Sequence, residues 1–214
     1  LSSLDKIQNI IKPVTINPVL LKAFIGSRKI LGLTLSHHLE TSPIDKLGSR
    51  VTINPAFAKI KYIKKNLDDF LVLAIGESYE DARKYNSLVE KEGVSEFFYW
   101  ENRYVPDDEI KEYFSICDVV ALPYKSASQS GIIPIAYHFE KPVVVTSVGG
   151  LPDMVQHNKT GIVIEPNNPK ELGNVLAKNL KNDNFLKMSS NVKKFKKQFS
   201  WESFIKGIES LIKT

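Results

Sequence analysis

With 214 residues, 43% of them hydrophobic and 25% charged, the chain can build one substantial core but not two large lobes, and its near-average composition excludes global disorder and collagen-like structure. Its longest apolar runs, near 70–75 and 143–145, are too short to span a bilayer, and the single Cys117 excludes an intramolecular disulfide, in keeping with a reducing compartment. The net charge of +5 suits an anionic ligand or surface, but the excess concentrates in Lys187, Lys193, Lys194, Lys196 and Lys197, which read as a solvated helix face; no aromatic RNA-binding signature or zinc-finger spacing supports nucleic acid.

Residues 1–28 read as a linker or partial N-terminal segment with no function assigned. The pentapeptide Val14-Thr-Ile-Asn-Pro18 recurs as Val51-Thr-Ile-Asn-Pro55, but two copies are too few for a repeat architecture. From residue 29 onward short β-branched runs alternate with amphipathic stretches, the pattern of a parallel sheet wrapped by helices on both faces, that is, a Rossmann-like α/β fold. Strands are expected at 29–35, 70–75, 96–100, 118–122, 142–146 and 161–164, and helices at 55–66, 79–92, 107–115, 132–139 and 169–180. Asp107 is expected to cap its helix, Gly93 to end the one before it, and Pro169 to occupy a first turn after an Asn168 cap.

The main domain is thus expected over 29–198. In the tail, 199–214, Trp201, Phe204, Ile205, Ile208, Leu211 and Ile212 recur at helical spacing after a Ser200 cap. This last helix needs a partner for its apolar face, either its own domain or a lobe outside this chain. Because the chain opens on Leu1, it is expected to be part of a longer protein.

The segment 118–155, DVVALPYKSASQSGIIPIAYHFEKPVVVTSVGGLPDMV, carries the most chemistry. It reads strand, polar loop, helix, strand, glycine loop and short helix. In an open parallel sheet, ligands bind beyond the carboxyl ends of the strands. Ser126, Ser128, Gln129, Ser130 and Gly131 lie there, ahead of a helix beginning with Ile132 and Ile133, whose free backbone amides suit a diphosphate. A serine-rich capped loop without ligand accounts for the same residues, and the loop is neither a Walker loop nor GxGxxG. Gly149 and Gly150 close the next strand, where they either expose amides to a ligand or make a turn.

Taken together, DVVALPY, SGIIPIAYHFEKPVVVTSVGGLPDMV and TGIVIEP, with FLVLAIGESYEDARKY and RYVPDDEIKEYFS upstream in order, resemble the C-terminal domain of GT-B retaining glycosyltransferases of family 4. The resemblance covers about residues 56–214. It implies a domain that binds a nucleotide-diphospho-sugar, with an N-terminal lobe, absent from this chain, holding a saccharide or lipid-linked acceptor. Transfer in the cleft between the lobes is implied to need no metal and no cofactor, so the isolated domain is expected to be inactive. Carried onto this sequence, Ser128, Gln129, Ser130, Gly131, Ile132 and Ile133 would meet the diphosphate or sugar, and Gly149 and Gly150 would support the adjacent loop. Polysaccharide or glycan biosynthesis in the cytoplasm, with peripheral association at a membrane face, is the setting this implies.

Two departures stand out. The family places two glutamates eight positions apart around the loop and its helix; here one register gives Ser128 and Ala136, the other Ala127 and Ile135. The basic pair that follows the first strand in the family has no clean match, and Lys46 and Arg50 are the candidates for it. Glu77 and Arg103, just past their strands, are candidates on the nucleotide side, Arg103 because a guanidinium grips phosphate bidentately. His37 and His38 lack a partner at ligand spacing, so no metal site is expected; His138 and His157 read as packing and solvent-exposed residues. The absent glutamates leave open a non-catalytic scaffold domain, and a GT-B epimerase would need acid–base groups that are not identified here.

Overall fold

A computed structural model describes residues 29–34, 60–76 and 82–212. Its six strands are β1 (Lys29–Thr34), β2 (Phe70–Ile75), β3 (Phe98–Glu101), β4 (Val119–Leu122), β5 (Val143–Thr146) and β6 (Gly161–Ile164). They form one sheet in the order β3-β2-β1-β4-β5-β6, and every pairing is parallel. Among the described residues the helices are α1 (Lys61–Lys64), α2 (Ala82–Lys91), α3 (Asp107–Ile116), α4 (Ile132–His138), α5 (Pro169–Lys181), α6 (Asn184–Phe195) and α7 (Trp201–Ile212).

The strands read as unbroken apolar runs because both of their faces are covered. Successive side chains alternate between two cores. Phe70, Val72, Ala74, Val119, Ala121 and Val144 face one layer, where α1, α2 and α5 supply Ile63, Val89 and Leu176. Val120, Leu122, Val143 and Val145 face the opposite layer, with Ile133 and Tyr137 of α4. Leu71 and Leu73 pack there too, against Tyr113 and Cys117. Helix α6 joins the layers, giving Phe185 and Met188 to the first and Val192 to the second. The fold is the parallel sheet with helices on both sides that the alternation predicts.

Differences from the expected elements have local causes. Residues 95–97 wind into a 3-10 turn that stacks Phe97 on Phe70, ring centroids 4.7 Å apart, so the strand starts only at Phe98. Of the helix expected over 55–66, the described part is helical over Lys61–Lys64, and 55–59 lie outside the described residues. Asp107 does not occupy the cap position: Pro106 does, in extended conformation, and no side chain caps α3. Asn168 does cap α5, its side-chain oxygen accepting from the Glu171 amide at 3.1 Å. Gly93, at φ 65°, ends α2 while its amide reaches back to the Glu90 carbonyl at 2.9 Å. Burial of Cys117 pushes its thiol up to about 12, so it behaves as a small core residue.

Helices α1 and α5 approach closely because Gly173 has no side chain. A Cβ there would lie 2.4 Å from the Tyr62 Cβ. Gly173→Ala should therefore destabilise the protein by about 1–3 kcal/mol from overpacking, offset in part by roughly 1 kcal/mol of helix propensity. A thermal midpoint lowered by a few degrees checks this, whereas an unchanged or raised midpoint would mean that α1 gives way freely.

The last helix begins as expected, with the Ser203 amide donating to Ser200 Oγ at 3.2 Å. Ile205, Ile208, Leu211 and Ile212 remain exposed, from 43% to 78%. No helix among the described residues is long and apolar enough to cross a membrane.

Candidate functional site

The chain steps outward through β1, β2 and β3, then returns to place β4 on the other side of β1. At such a reversal, the loops leaving the two adjacent strands diverge and open a crevice at their carboxyl ends. His37, His38, Lys46 and Arg50, which follow β1 in the sequence, lie outside the described residues, as does Glu77 after β2. The loops after β4, 123–131, and after β5, 147–150, are described.

Both ends of the β4 loop are pinned. The Tyr124 amide donates to the Leu122 carbonyl at 2.9 Å, and the Tyr124 carbonyl accepts from Thr146 Oγ1 at 2.7 Å. The Tyr124 hydroxyl meets Ser130 Oγ at 3.5 Å. Ser130 is only 3% exposed, and its Oγ accepts from the Ile132 amide at 3.3 Å. This serine therefore closes the loop from within and satisfies one orphan amide of α4. Ile132 and Ile133 bury their side chains in the core, so only their backbone is available to a ligand. With Pro134 lacking an N–H, the amides of Gly131 and Ile133 are the other donors at the start of α4. Lys125, Ser126, Ser128, Gln129 and Gly131 are exposed around them.

The glycine loop clasps this one. The Gly150 amide donates to the Ser128 carbonyl at 2.8 Å. Gly149 sits at φ 49°, and a Cβ on it would lie 1.8 Å from the Ala127 carbonyl oxygen. The glycine pair is thus required by close approach of the two loops, beyond any need of a turn. Of the positions where glutamates are implied by resemblance, Ser128 is exposed on the loop, whereas Ala136 is fully buried under α4 against the sheet.

Arg103 lies past β3, on the same edge of the sheet. Its Nε donates to Glu101 Oε1 at 2.9 Å, its Nη1 to the Tyr104 carbonyl at 3.1 Å, and its Nη2 pairs with Glu109. The hydrogen bond to Glu109, reinforced by Glu101, raises the pKa of a group that is already always charged. Burial pushes the Glu101 carboxyl up, but hydrogen bonds from the Tyr99 hydroxyl at 2.6 Å and from Arg103 outweigh it, and Glu101 stays below its ordinary value. Arg103 is therefore a tie between β3 and α3 whose fork is already occupied by carboxylates.

Sequence reasoning overlooked a shallow recess, open to solvent, lined by Pro123, Thr146, Glu165 and Asn167 at the ends of β4, β5 and β6. It also passed over Lys125, an exposed cation inside the most informative loop, where the only available signal was a lysine between the strand and the helix. His157 is exposed as expected, with its Nδ1 accepting from the Val163 amide at 3.1 Å. His138 is also exposed, its ring edge-on to Phe139.

Some known proteins share this fold, and others are similar in sequence. Anabaena HepE, solved in complex with UDP, superposes with a TM-score of 0.69 at 16% identity, over 95% of this chain and 53% of that one. The C-terminal domain of a glycosyl transferase group 1 family protein, LpcC from Francisella tularensis, superposes with a TM-score of 0.63 at 14% identity, over 81% of this chain and 88% of that one. In sequence, an uncharacterized glycosyltransferase of Methanocaldococcus jannaschii is 30% identical over 105 residues, 49% of this chain and 30% of the relative. A D-inositol 3-phosphate glycosyltransferase of Thermobifida fusca is 25% identical over 159 residues, 72% of this chain and 36% of the relative. The chain thus spans about a third of the length of these two curated relatives. The sequence profile of the Glycosyl transferases group 1 family matches residues 52–199, more than half of the chain, including the clasped loops and strands β2 to β6, and the chain belongs to that family.

Proposed function

We propose that this chain is the donor-binding half of a retaining GT-B glycosyltransferase of the family 4 type. The diphosphate of a nucleotide-diphospho-sugar would lie across 123–131 and 147–150, and a lobe outside this chain would bring a saccharide or lipid-linked acceptor. The observation that carries this reading is the clasp: Gly150 on Ser128 and Gly149 against Ala127 hold an otherwise exposed loop rigid at the strand ends where the sheet order reverses. Preorganised donors cost little reorganisation when negative charge develops on a leaving diphosphate.

In this proposal the amides of Gly131 and Ile133 and the side chains of Ser128 and Gln129 face the diphosphate or sugar. Ser130 and Ile132 hold the loop, and Gly149 and Gly150 hold its partner. Lys46, Arg50 and Glu77 stay candidates from sequence, and Arg103 acts by fixing the end of β3. The reaction is hexosyl transfer without metal or cofactor, in glycan synthesis at the cytoplasmic side of a membrane, and the exposed apolar side of α7 supports a crossing of 199–214 onto the other lobe. Burial of Ala136, where a ribose-binding glutamate is implied, favours a second reading as a non-catalytic scaffold.

Calorimetric titration with UDP, GDP and their sugar conjugates separates the two. Saturable binding of one nucleoside diphosphate is the expected result; a folded protein that binds none of them would leave the scaffold reading.

A further inference from the structure

A diphosphate brings two or three negative charges, yet the amides, serines and glutamine around the clasped loops are neutral. Among the described residues on this edge, Arg103 is already held by Glu101 and Glu109. Lys141, by contrast, precedes β5 at the opposite edge and donates to the Ser115 carbonyl at 2.9 Å. Lys125 differs from both. It is exposed and has no hydrogen bond or ion pair among the described residues.

Its backbone position is constrained through its neighbours on both sides. The preceding Tyr124 is tied through its amide, its carbonyl and its hydroxyl, to Leu122, Thr146 and Ser130 respectively. Two and three residues further on, Ala127 and Ser128 lie under the glycine pair. A flexible lysine stem of roughly 6 Å on a fixed Cα can sweep the space over such a loop, and its ammonium is a compact charge suited to phosphate.

From this placement we infer that Lys125 is a phosphate-contacting cation of the described half of the site, binding the donor diphosphate and stabilising it as it leaves. The inference rests on the donor-site reading. It gives the loop after β4 a charge of its own, independent of the sequence candidates Lys46 and Arg50.

The test is titration of the protein, its Lys125→Gln variant and its Lys125→Arg variant with UDP, GDP, UMP and uridine, at low and high salt. Lys125→Gln is expected to weaken binding of the preferred nucleoside diphosphate about tenfold, to flatten its salt dependence, and to leave uridine binding and the thermal midpoint unchanged. Lys125→Arg should keep most of the affinity. Unaltered diphosphate binding in Lys125→Gln overturns the inference while leaving the donor site standing, and an equal loss for diphosphate and uridine overturns it as a merely structural effect. Failure of the unmutated protein to bind any nucleoside diphosphate removes the donor-site reading, and this inference with it.

Discussion

Gly149→Ala is expected to unfasten the two loops of the site and to weaken nucleotide binding. The new methyl would lie 1.8 Å from the Ala127 carbonyl oxygen and 3.0 Å from that of Ser128, both backbone atoms that cannot rotate aside. The φ of 49° adds the left-handed strain of a residue with a side chain, about 1–2 kcal/mol. Overpacking against fixed atoms brings the total to about 3–5 kcal/mol unless the loop moves, and if it moves the Gly150 to Ser128 hydrogen bond is lost. Thermal unfolding and nucleotide titration read the two alternatives, as a lowered midpoint or as affinity reduced by about a hundredfold. Gly150→Ala is the companion variant that keeps the test open should Gly149→Ala fail to fold. Its Cβ would sit 3.0 Å from the Ser128 carbonyl oxygen, so a smaller loss is expected. Wild-type stability together with wild-type binding in Gly149→Ala would mean that the clasp is not needed.

Gly131→Asp has the opposite character: it should leave the fold intact and remove the ligand. Gly131 adopts φ −66°, an ordinary helical value, and a Cβ there would meet nothing within 4 Å. Glycine is therefore not demanded by backbone strain at this position; what it preserves is open space at the start of α4. An aspartate fills that space with a like charge facing the diphosphate, which should cost at least about 2 kcal/mol, or some thirtyfold in affinity. Gly131→Ala separates bulk from charge and should bind more tightly than Gly131→Asp. Titration alongside a thermal melt decides the matter: an unchanged melt with lost binding supports the donor site, and retained binding in Gly131→Asp places the diphosphate elsewhere.

These two glycines show how differently one residue type can be legible. Gly131 stands out in the sequence by its place ahead of a helix, and the structure puts it there with an ordinary helical backbone. Gly149 reads in sequence as half of a turn. Its necessity comes from the Ala127 carbonyl 22 residues away, a distance closed only when β4 and β5 pair.

By itself the sequence determined the parallel α/β class, because strands covered on both faces must be continuously apolar and their helices amphipathic. Among features whose partners are three or four positions away it determined the Asn168 and Ser200 caps and the Gly93 stop, but it misplaced the cap of α3, where Pro106 stands instead of Asp107. The order of motifs pointed to the loop after β4. Tertiary structure alone decided which side chains of that loop remain available. Ser130 turns inward because Tyr124 and the Ile132 amide claim it, Arg103 is occupied because Glu101 and Glu109 flank it, and Ala136 lies against the sheet. Local periodicity encodes which face of an element is apolar, but not which distant backbone will be pressed against it; that follows from strand order, and strand order is settled only when the whole sheet forms.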